Sequence, residues 1–360
     1  MGGKLNLPSF YVFQMPTDKQ LITTRFSKIL IETMFQVKPG ETVAITADSE
    51  SNRNVIDAIA AATTVAGGIP LVMRIPKAAQ SGQAGMKEWP AEALTAALCK
   101  VDVWIDAQST VLLYSDIWET AFKENNKLRY LIIADSSIES LDRMFTGFDI
   151  QLLKSLLSKV RDMAMACKKV HITSTNGTDV SYDIDLNYAF DIDDGDYSMP
   201  KFGTAPGFIN IVPKLGSMNG TIAFDILEGA PRDGQIQFTM KNGSIIDVNG
   251  ENGVEDFKSY LASFDDENMY KISHNMFGLN PGIKAITGEL CEDERIWGGV
   301  DFGFGHTSAM DMPPYGQEAK SHFDGVVTNV SIYLDYIQIF DNGVVCHPDL
   351  IPLVNNLLTN

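Results

Sequence analysis

The pattern of apolar residues changes near residue 167, and this change constrains the fold more than any other feature of the chain. Before it, apolar strand candidates alternate with helical patterns. These segments are 41–48, 52–66, 69–76, 101–107, 115–125, 129–135 and 150–167. Strands that alternate with helices indicate βαβ units and a mainly parallel sheet. The sequence therefore predicts an α/β domain over residues 1–167.

Asn-Gly dipeptides distinguish the second part of the chain. None occurs before residue 176, whereas six follow, at 176–177, 219–220, 242–243, 249–250, 252–253 and 342–343. Asn and Gly readily adopt the positive φ angles of tight hairpin turns, and here they separate β-rich runs. With one helix near 253–264, residues 168–360 are predicted to form an α+β, mostly antiparallel domain.

Charge and hydropathy exclude several classes of partner. The chain carries 28 Lys and Arg against 46 Asp and Glu, a net charge of −18, which disfavours binding to nucleic acids and to anionic membranes. No apolar run approaches the roughly 18 residues that span a bilayer, and the N-terminus lacks the pattern of a secretory signal. We therefore expect a cytoplasmic protein with no nucleic-acid or membrane partner.

Two polar segments are interpreted as structural. No glycine-rich phosphate loop is present, and residues 47–54, between a strand and a helix, are interpreted as an ordinary helix-capping loop. The acidic stretch 191–196 lacks the glycine position and the final Glu of an EF-hand loop. It is interpreted as a solvated acidic turn, and Glu289, Glu292 and Glu294 as a solvated face.

The strongest group of chemically active residues lies in the last quarter of the chain. His322 and Asp324 are two positions apart in a predicted strand, so both side chains point to one face. His274 is the candidate third ligand. Two imidazoles and one carboxylate with open positions are typical of non-haem Fe(II) sites, and Zn(II) can occupy the same donor set. Ligand type alone does not choose between them.

Four short motifs then follow one another in a recognisable order. They are 207–213, 277–281, 292–299 and 321–324. In order and spacing they resemble the thermophilic-type metalloaminopeptidases, and the N-terminal α/β part fits that family as well. The resemblance covers nearly the whole chain and implies that family's fold.

The departures from the peptidase pattern indicate a remodelled site. Phe208 and His274 stand where the peptidases have metal-binding Glu residues, Asp301 stands where they have a His, and Ser308 replaces the catalytic Tyr. A two-metal site is thereby reduced to one metal position.

The remodelled pattern resembles the 2,5-dihydroxypyridine 5,6-dioxygenases. This resemblance implies that His274, His322 and Asp324 bind one Fe(II). It also implies extradiol-like cleavage of a small aromatic or heteroaromatic substrate by dioxygen, and a homodimer. That family uses earlier histidines for acid–base work, whereas the only earlier one here is His171, to which we do not transfer the role.

Three further residues are candidates for catalysis. His306 is a candidate acid–base group or substrate donor, Asp301 a carboxylate that orients a ligand imidazole, and Ser321 the neighbour of His322. Each is also compatible with a structural role, and His347 is interpreted as structural. Two other functions stay open, a zinc-dependent hydrolase or aminopeptidase-like enzyme acting on an amide bond, and a binding protein on a former enzyme scaffold.

Overall fold

The computed structural model describes residues 17–133, 137–230 and 234–359. The end of the predicted strand 129–135 lies outside these ranges, as does most of the N-terminal segment whose pattern argues against a secretory signal. Among the described residues, no helix combines the length and the apolar character needed to cross a bilayer.

The first part of the chain alternates strands and helices, as its periodicity predicts. The strands are β1 (Thr42–Ala47), β2 (Ile69–Arg74), β3 (Val103–Asp106) and β4 (Arg129–Ile132). The helices are α1 (Asp18–Lys28, continued by a π-helical turn Ile29–Met34), α2 (Arg53–Val65), α3 (Ala91–Leu98), α4 (Asp116–Glu124), α5 (Ile138–Phe145) and α6 (Ile150–Ala166). The helix cap predicted within 47–54 is present, because Asn52 accepts a hydrogen bond from the Asn54 N–H at the start of α2.

The second part is mostly β-structure. Its strands are β5 (Lys169–Ser174), β6 (Asp179–Asp183), β7 (Phe190–Asp193), β8 (Lys201–Gly203), β9 (Phe208–Ile211), β10 (Asn219–Phe224), β11 (Ile226–Leu227), β12 (Ile236–Lys241), β13 (Ser244–Gly250), β14 (Ile272–Gly278), β15 (Val300–Thr307), β16 (Gln317–Val327), β17 (Val330–Leu334), β18 (Ile337–Asp341) and β19 (Val344–Val345). Its helices are α7 (Val254–Ser263), α8 (Leu290–Asp293) and α9 (Ile351–Thr359).

The described strands form three sheets. The first is parallel, in the order β2-β1-β3-β4-β8. The other two are antiparallel, in the orders β13-β12-β10-β6-β5-β17-β18-β19 and β11-β16-β15-β14-β9-β7. The predicted fold class is therefore confirmed.

The prediction that Asn-Gly dipeptides form hairpin turns is confirmed at some positions and is wrong at two. Asn242-Gly243 and Asn342-Gly343 have positive φ at both residues and close the hairpins β12–β13 and β18–β19. Asn219-Gly220 lies within β10 and Asn249-Gly250 within β13, instead of in turns. A Cβ on Gly220 would lie 2.1 Å from the Asp179 carbonyl oxygen, so that glycine permits close pairing with β6.

The two parts of the chain share a core. Strand β8 returns from the second part to pair with β4, and Ile283, Ile296 and Val326 pack into the apolar cluster under the first sheet. The buried Glu292 of α8 accepts hydrogen bonds from Arg143 and Ser140 of α5. These contacts connect the parallel sheet to the second part of the chain. The division into two domains at residue 167 stays a prediction.

Candidate metal centre

Two strands, on either side of a third and antiparallel to it, carry the candidate metal ligands. His274 lies on β14, and His322 and Asp324 lie on β16. Strand β15 runs between them, and its Gly303 is paired with His274 on one side and with Asp324 on the other. The alternation of β16 buries Phe323 in the core and turns His322 and Asp324 to the opposite face.

The three side chains converge on one point. One ligand atom from each of His274, His322 and Asp324 lies within 4.8 Å of the other two. Asp324 Oδ1 lies 3.0 Å from His322 Nε2 and 3.4 Å from His274 Nε2. The arrangement predicted from the spacing is thus present, and metal binding by it stays a prediction.

The absence of a side chain at Gly303 leaves the space between these groups open. A Cβ there would lie 2.4 Å from His274 Cε1, 2.6 Å from His274 Nε2 and 2.7 Å from Asp324 Oδ1. Such distances are far below normal contact, so any larger residue would displace the two ligands. The donor set and this space both fit a single small cation.

Hydrogen bonds orient the ligands. His322 Nδ1 lies 2.9 Å from the His306 carbonyl oxygen, an acceptor, so the ring carries its proton on Nδ1 and turns Nε2 towards Asp324. Asp301 Oδ2 lies 3.1 Å from His274 Nε2, and Asp301 Oδ1 is buried without a hydrogen-bond partner among the described residues. Asp301 lies within β15.

The electrostatics of the site favour a cation. Burial opposes the charged form of His274, but hydrogen bonds and charges of Asp301 and Asp324 outweigh burial and raise its pKa to about 10. Burial also opposes ionisation of Asp324, yet the two histidines outweigh it and lower the pKa of that carboxyl. Burial, together with the charge of Asp324, raises the pKa of Asp301 to about 6. The carboxylates therefore stabilise positive charge at this position.

A cavity of about 750 Å³ opens from the candidate ligands. His274 and Asp324 lie in its wall, and so do Glu294 and Arg295, which form an ion pair of 2.9 Å. Burial raises the pKa of Glu294 to about 8, against the opposing charge of Arg295. A group that titrates near neutral pH thus faces the cavity.

A second cavity of about 140 Å³ adjoins the first and includes His306 and His322 in its wall. Four residues line both cavities, namely Tyr114, Asn210, His274 and Asp311. Tyr114 has a positive φ of 61°, and its ring centroid lies 6.2 Å from that of His306. The first part of the chain thus contributes a residue to the site.

Of the other histidines and the serine singled out in the sequence, only His306 lies at a cavity beside the candidate ligands. His306 lines the smaller cavity, whereas the Ser321 hydroxyl donates to the His322 carbonyl at 3.4 Å and lines neither cavity. His171 pairs with Asp179 in the eight-stranded sheet. His347 Nδ1 accepts the Asp349 N–H next to α9, which suits its structural interpretation.

Two interpretations of acidic residues were wrong. Asp193 and Asp194 are buried instead of solvated, because Tyr197 donates to Asp193 and Lys201 forms an ion pair with Asp194. Glu292 and Glu294 do not form a solvated face, because Arg143 and Arg295 draw them into the interior. Glu289 is exposed, as expected.

The sequence did not identify Asn210, Tyr114 and Glu294 as residues of the site. They face the cavity only because of the tertiary fold, and no local sequence motif indicates that position.

Comparison with protein families gives one match over most of the chain. The family model of 2,5-dihydroxypyridine 5,6-dioxygenase matches residues 23–347. A 2,5-dihydroxypyridine 5,6-dioxygenase of Pseudomonas putida KT2440 is 24% identical over 279 residues, which covers 71% of this chain and 72% of that protein.

Two solved structures share the fold. The 2,5-dihydroxypyridine dioxygenase of Pseudomonas putida KT2440 superposes with a TM-score of 0.78 at 21% identity, over 93% of this chain and 99% of that one. AmpT from Thermus thermophilus superposes with a TM-score of 0.66 at 12% identity, over 91% and 100% of the two chains. The described architecture is therefore common to both proteins.

Proposed function

Because the chain belongs to the family of 2,5-dihydroxypyridine 5,6-dioxygenases, we propose that it is an Fe(II)-dependent enzyme that cleaves a hydroxylated N-heteroaromatic ring. The predicted resemblance to this family is confirmed. The observation that carries the finer proposal is the convergence of His274, His322 and Asp324 in the wall of a large cavity.

The donor set suits mononuclear iron. Two imidazole nitrogens and one carboxylate oxygen occupy one side of a metal and leave its other positions open. When bound, Fe(II) would supply the redox chemistry that lets dioxygen react with an aromatic ring. In extradiol-like cleavage the ring opens beside a hydroxylated carbon, and both oxygen atoms enter the product.

The cavity wall offers groups that would position the ring. Asn210 Oδ1 is buried and has no hydrogen-bond partner among the described residues, and Asn210 lines both cavities. A buried amide without a partner gains free energy when a ligand supplies one. Phe208 and Met276 line the same cavity and offer apolar contacts to a ring. Asn210 would therefore bind a ring hydroxyl or N–H.

Two groups can exchange protons with the substrate. Burial and the nearby His322 lower the pKa of His306, so this imidazole is neutral at neutral pH and can accept a proton. Glu294, with its pKa raised to about 8, holds a proton at the same pH and can donate it. Such a separation of proton affinities is typical of acid–base pairs.

Metal reconstitution coupled to oxygen uptake tests this function. We expect the chain, loaded anaerobically with Fe(II), to hold one iron and to consume dioxygen in proportion to the 2,5-dihydroxypyridine that disappears. His274→Ala should abolish both, because it removes one of the three donors. His171→Ala is the matched control, since that histidine pairs with Asp179 in a different sheet, and it should retain both.

Other outcomes would contradict the proposal. Amide hydrolysis that needs no oxygen and is supported by Zn(II) would favour the hydrolase. A purified chain that holds neither Fe(II) nor Zn(II) after anaerobic loading would favour the binding protein. The homodimer and the cytoplasmic location remain predictions of the family resemblance and of the composition.

A further inference from the structure

The cavity beside the candidate ligands is much larger than a dihydroxylated pyridine needs. Its volume of about 750 Å³ falls in the range of roughly 300–1,000 Å³ that encloses a drug-sized ligand. One six-membered ring at His274 and Asp324 would leave most of this space to something else.

Part of the cavity wall is apolar. We call it the apolar arm, and it is lined by side chains from the loop after β3, from α4 and the segment after it, from β4 and from β8. They are Val111, Leu113, Phe122, Leu128, Ile132 and Phe202. An apolar surface of this kind binds uncharged hydrocarbon groups, because such groups displace poorly bound water.

Aromatic packing holds the apolar arm in place. The Phe122 ring centroid lies 4.9 Å from that of Trp118 and 6.3 Å from that of Phe202. Trp118 in turn lies 5.6 Å from Tyr114, which contacts His306 beside the candidate ligands. A continuous series of rings thus connects the arm to the metal centre, so the arm is preformed.

The charges around the cavity indicate that its occupant is uncharged. Asp191 and Asp311 line the cavity together with Asp324, and they would repel a carboxylate or a phosphate. Lys201 of the wall pairs with Asp194 at 2.8 Å, and the five N–H groups of Arg295 all donate to Glu294, to Thr204 and to backbone carbonyl oxygens. An anionic group would therefore find no free hydrogen-bond donor on either of these two residues.

We propose that the apolar arm binds an uncharged apolar substituent, or a fused ring, of the substrate. The preferred substrate is then a substituted hydroxylated N-heteroaromatic compound instead of the unsubstituted ring. This inference rests on the proposed function, which places the hydroxylated ring at His274, His322 and Asp324.

A comparison of two substrates tests the inference without any mutation. The probes are 2,5-dihydroxypyridine and the same ring with a butyl chain at C3 or at C4. We expect the iron-loaded protein to turn over the better butyl isomer with a kcat/KM at least about tenfold higher, since a single methylene in an apolar pocket changes the rate by about tenfold or more. Anaerobic calorimetry should show the same preference in binding.

A variant locates the effect. Val111→Phe narrows the apolar arm, so we expect kcat/KM for the butyl compound to fall at least about tenfold more than that for the parent ring. Val65→Phe makes the same change on α2 at a side chain that is 81% exposed, outside the cavity, and should alter neither value.

The failures of the two proposals can be told apart. Equal or better turnover of the parent ring, or an equal loss for both rings in Val111→Phe, would overturn the inference and leave the dioxygenase function intact. Preferential binding of the butyl compound without oxygen uptake would support the arm and overturn the function. Absence of binding by either compound would overturn both proposals.

Discussion

Gly303 determines whether the candidate ligands can meet around a cation. It sits on the central strand between His274 and Asp324, and both side chains lie where its Cβ would project. No positive φ is required at this position, so alanine suits the backbone and acts only through its methyl group. The space between His274 and Asp324 thus depends on the absence of a Cβ at Gly303.

Gly303→Ala should therefore yield a folded protein that has lost most of its metal affinity. The added methyl group must push His274 and Asp324 away from the shared point. Metal content after anaerobic loading measures the loss of metal affinity, and thermal unfolding shows whether the variant is still folded.

The control for this variant lies on the neighbouring strand. Gly325 directly follows Asp324, but strand alternation points its Cβ to the opposite face of the sheet, where it would lie 2.5 Å from Phe224 in the core. Gly325→Ala should lower the melting temperature yet keep the metal. If Gly303→Ala binds metal like the unaltered chain, the position assigned to the cation is wrong.

The sequence predicts part of this residue-scale detail. His322 and Asp324 can be paired because strand alternation needs only local information. His274 follows from residue type and family resemblance. Asn210 and Glu294 cannot be predicted, since their burial depends on strands and loops that are distant along the chain.

An acidic residue in the turn after β7 stabilises the fold through an ion pair. Asp196 is largely buried and pairs with Lys154 of α6 at 2.7 Å. Burial opposes its charge, but the hydrogen bonds from Lys154 and Ser198 outweigh burial and lower the pKa to about 2. The ion pair thereby joins this turn to the long helix α6.

We expect Asp196→Asn to destabilise the protein by about 1–2 kcal/mol at neutral pH. The folded pKa is depressed, so the stabilisation is full above the unfolded pKa near 3.8 and is lost as the pH falls through about 2. About half should remain near pH 3. Denaturant unfolding of both proteins between pH 7 and pH 3 measures the difference.

Asp57→Asn is the matched control, because that carboxylate is 67% exposed on α2 and forms only a 3.6 Å surface pair with Arg53. It should change stability little at any pH. A destabilisation by Asp196→Asn that stays constant down to pH 3 would show that charge is not its origin.

The sequence predicts the bounds of helices and strands better than it predicts which elements pack against one another. The helices 52–66, 115–125 and 150–167 follow from periodicity, and the structure places them within one residue of these bounds. Strand β8 has three residues, too few to show an alternation of apolar and polar side chains in the sequence. Its return to the parallel sheet depends on the free edge that β4 offers.

At the scale of the whole molecule, one buried carboxylate joins the two parts of the chain. Glu292 of α8 is fully buried and binds Arg143 and Ser140 of α5. These residues are about 150 positions apart. Sequence patterns do not reveal such a pair, which is why Glu292 is interpreted as solvated from the sequence.

Glu292→Gln should lower the free energy of unfolding by about 2–3 kcal/mol, because it removes the charge that pairs with Arg143 in a buried position. Arg143 is 41% exposed and can recover some hydration, which keeps the loss below that of a fully buried pair. Calorimetric melting measures the change. Glu289→Gln, at an exposed position before the same helix, should leave the melting temperature unaltered. Equal melting temperatures for the two variants would contradict this assignment.

The metal centre and the apolar arm come from different stretches of sequence. The candidate ligands lie between residues 274 and 324, on strands of one antiparallel sheet, whereas the arm is lined by residues between 111 and 202. Substitutions in the arm can therefore accumulate over evolutionary time without moving a ligand. Relatives that keep these candidate ligands can then differ in the compounds that they bind, and diversifying the arm alone can alter that choice.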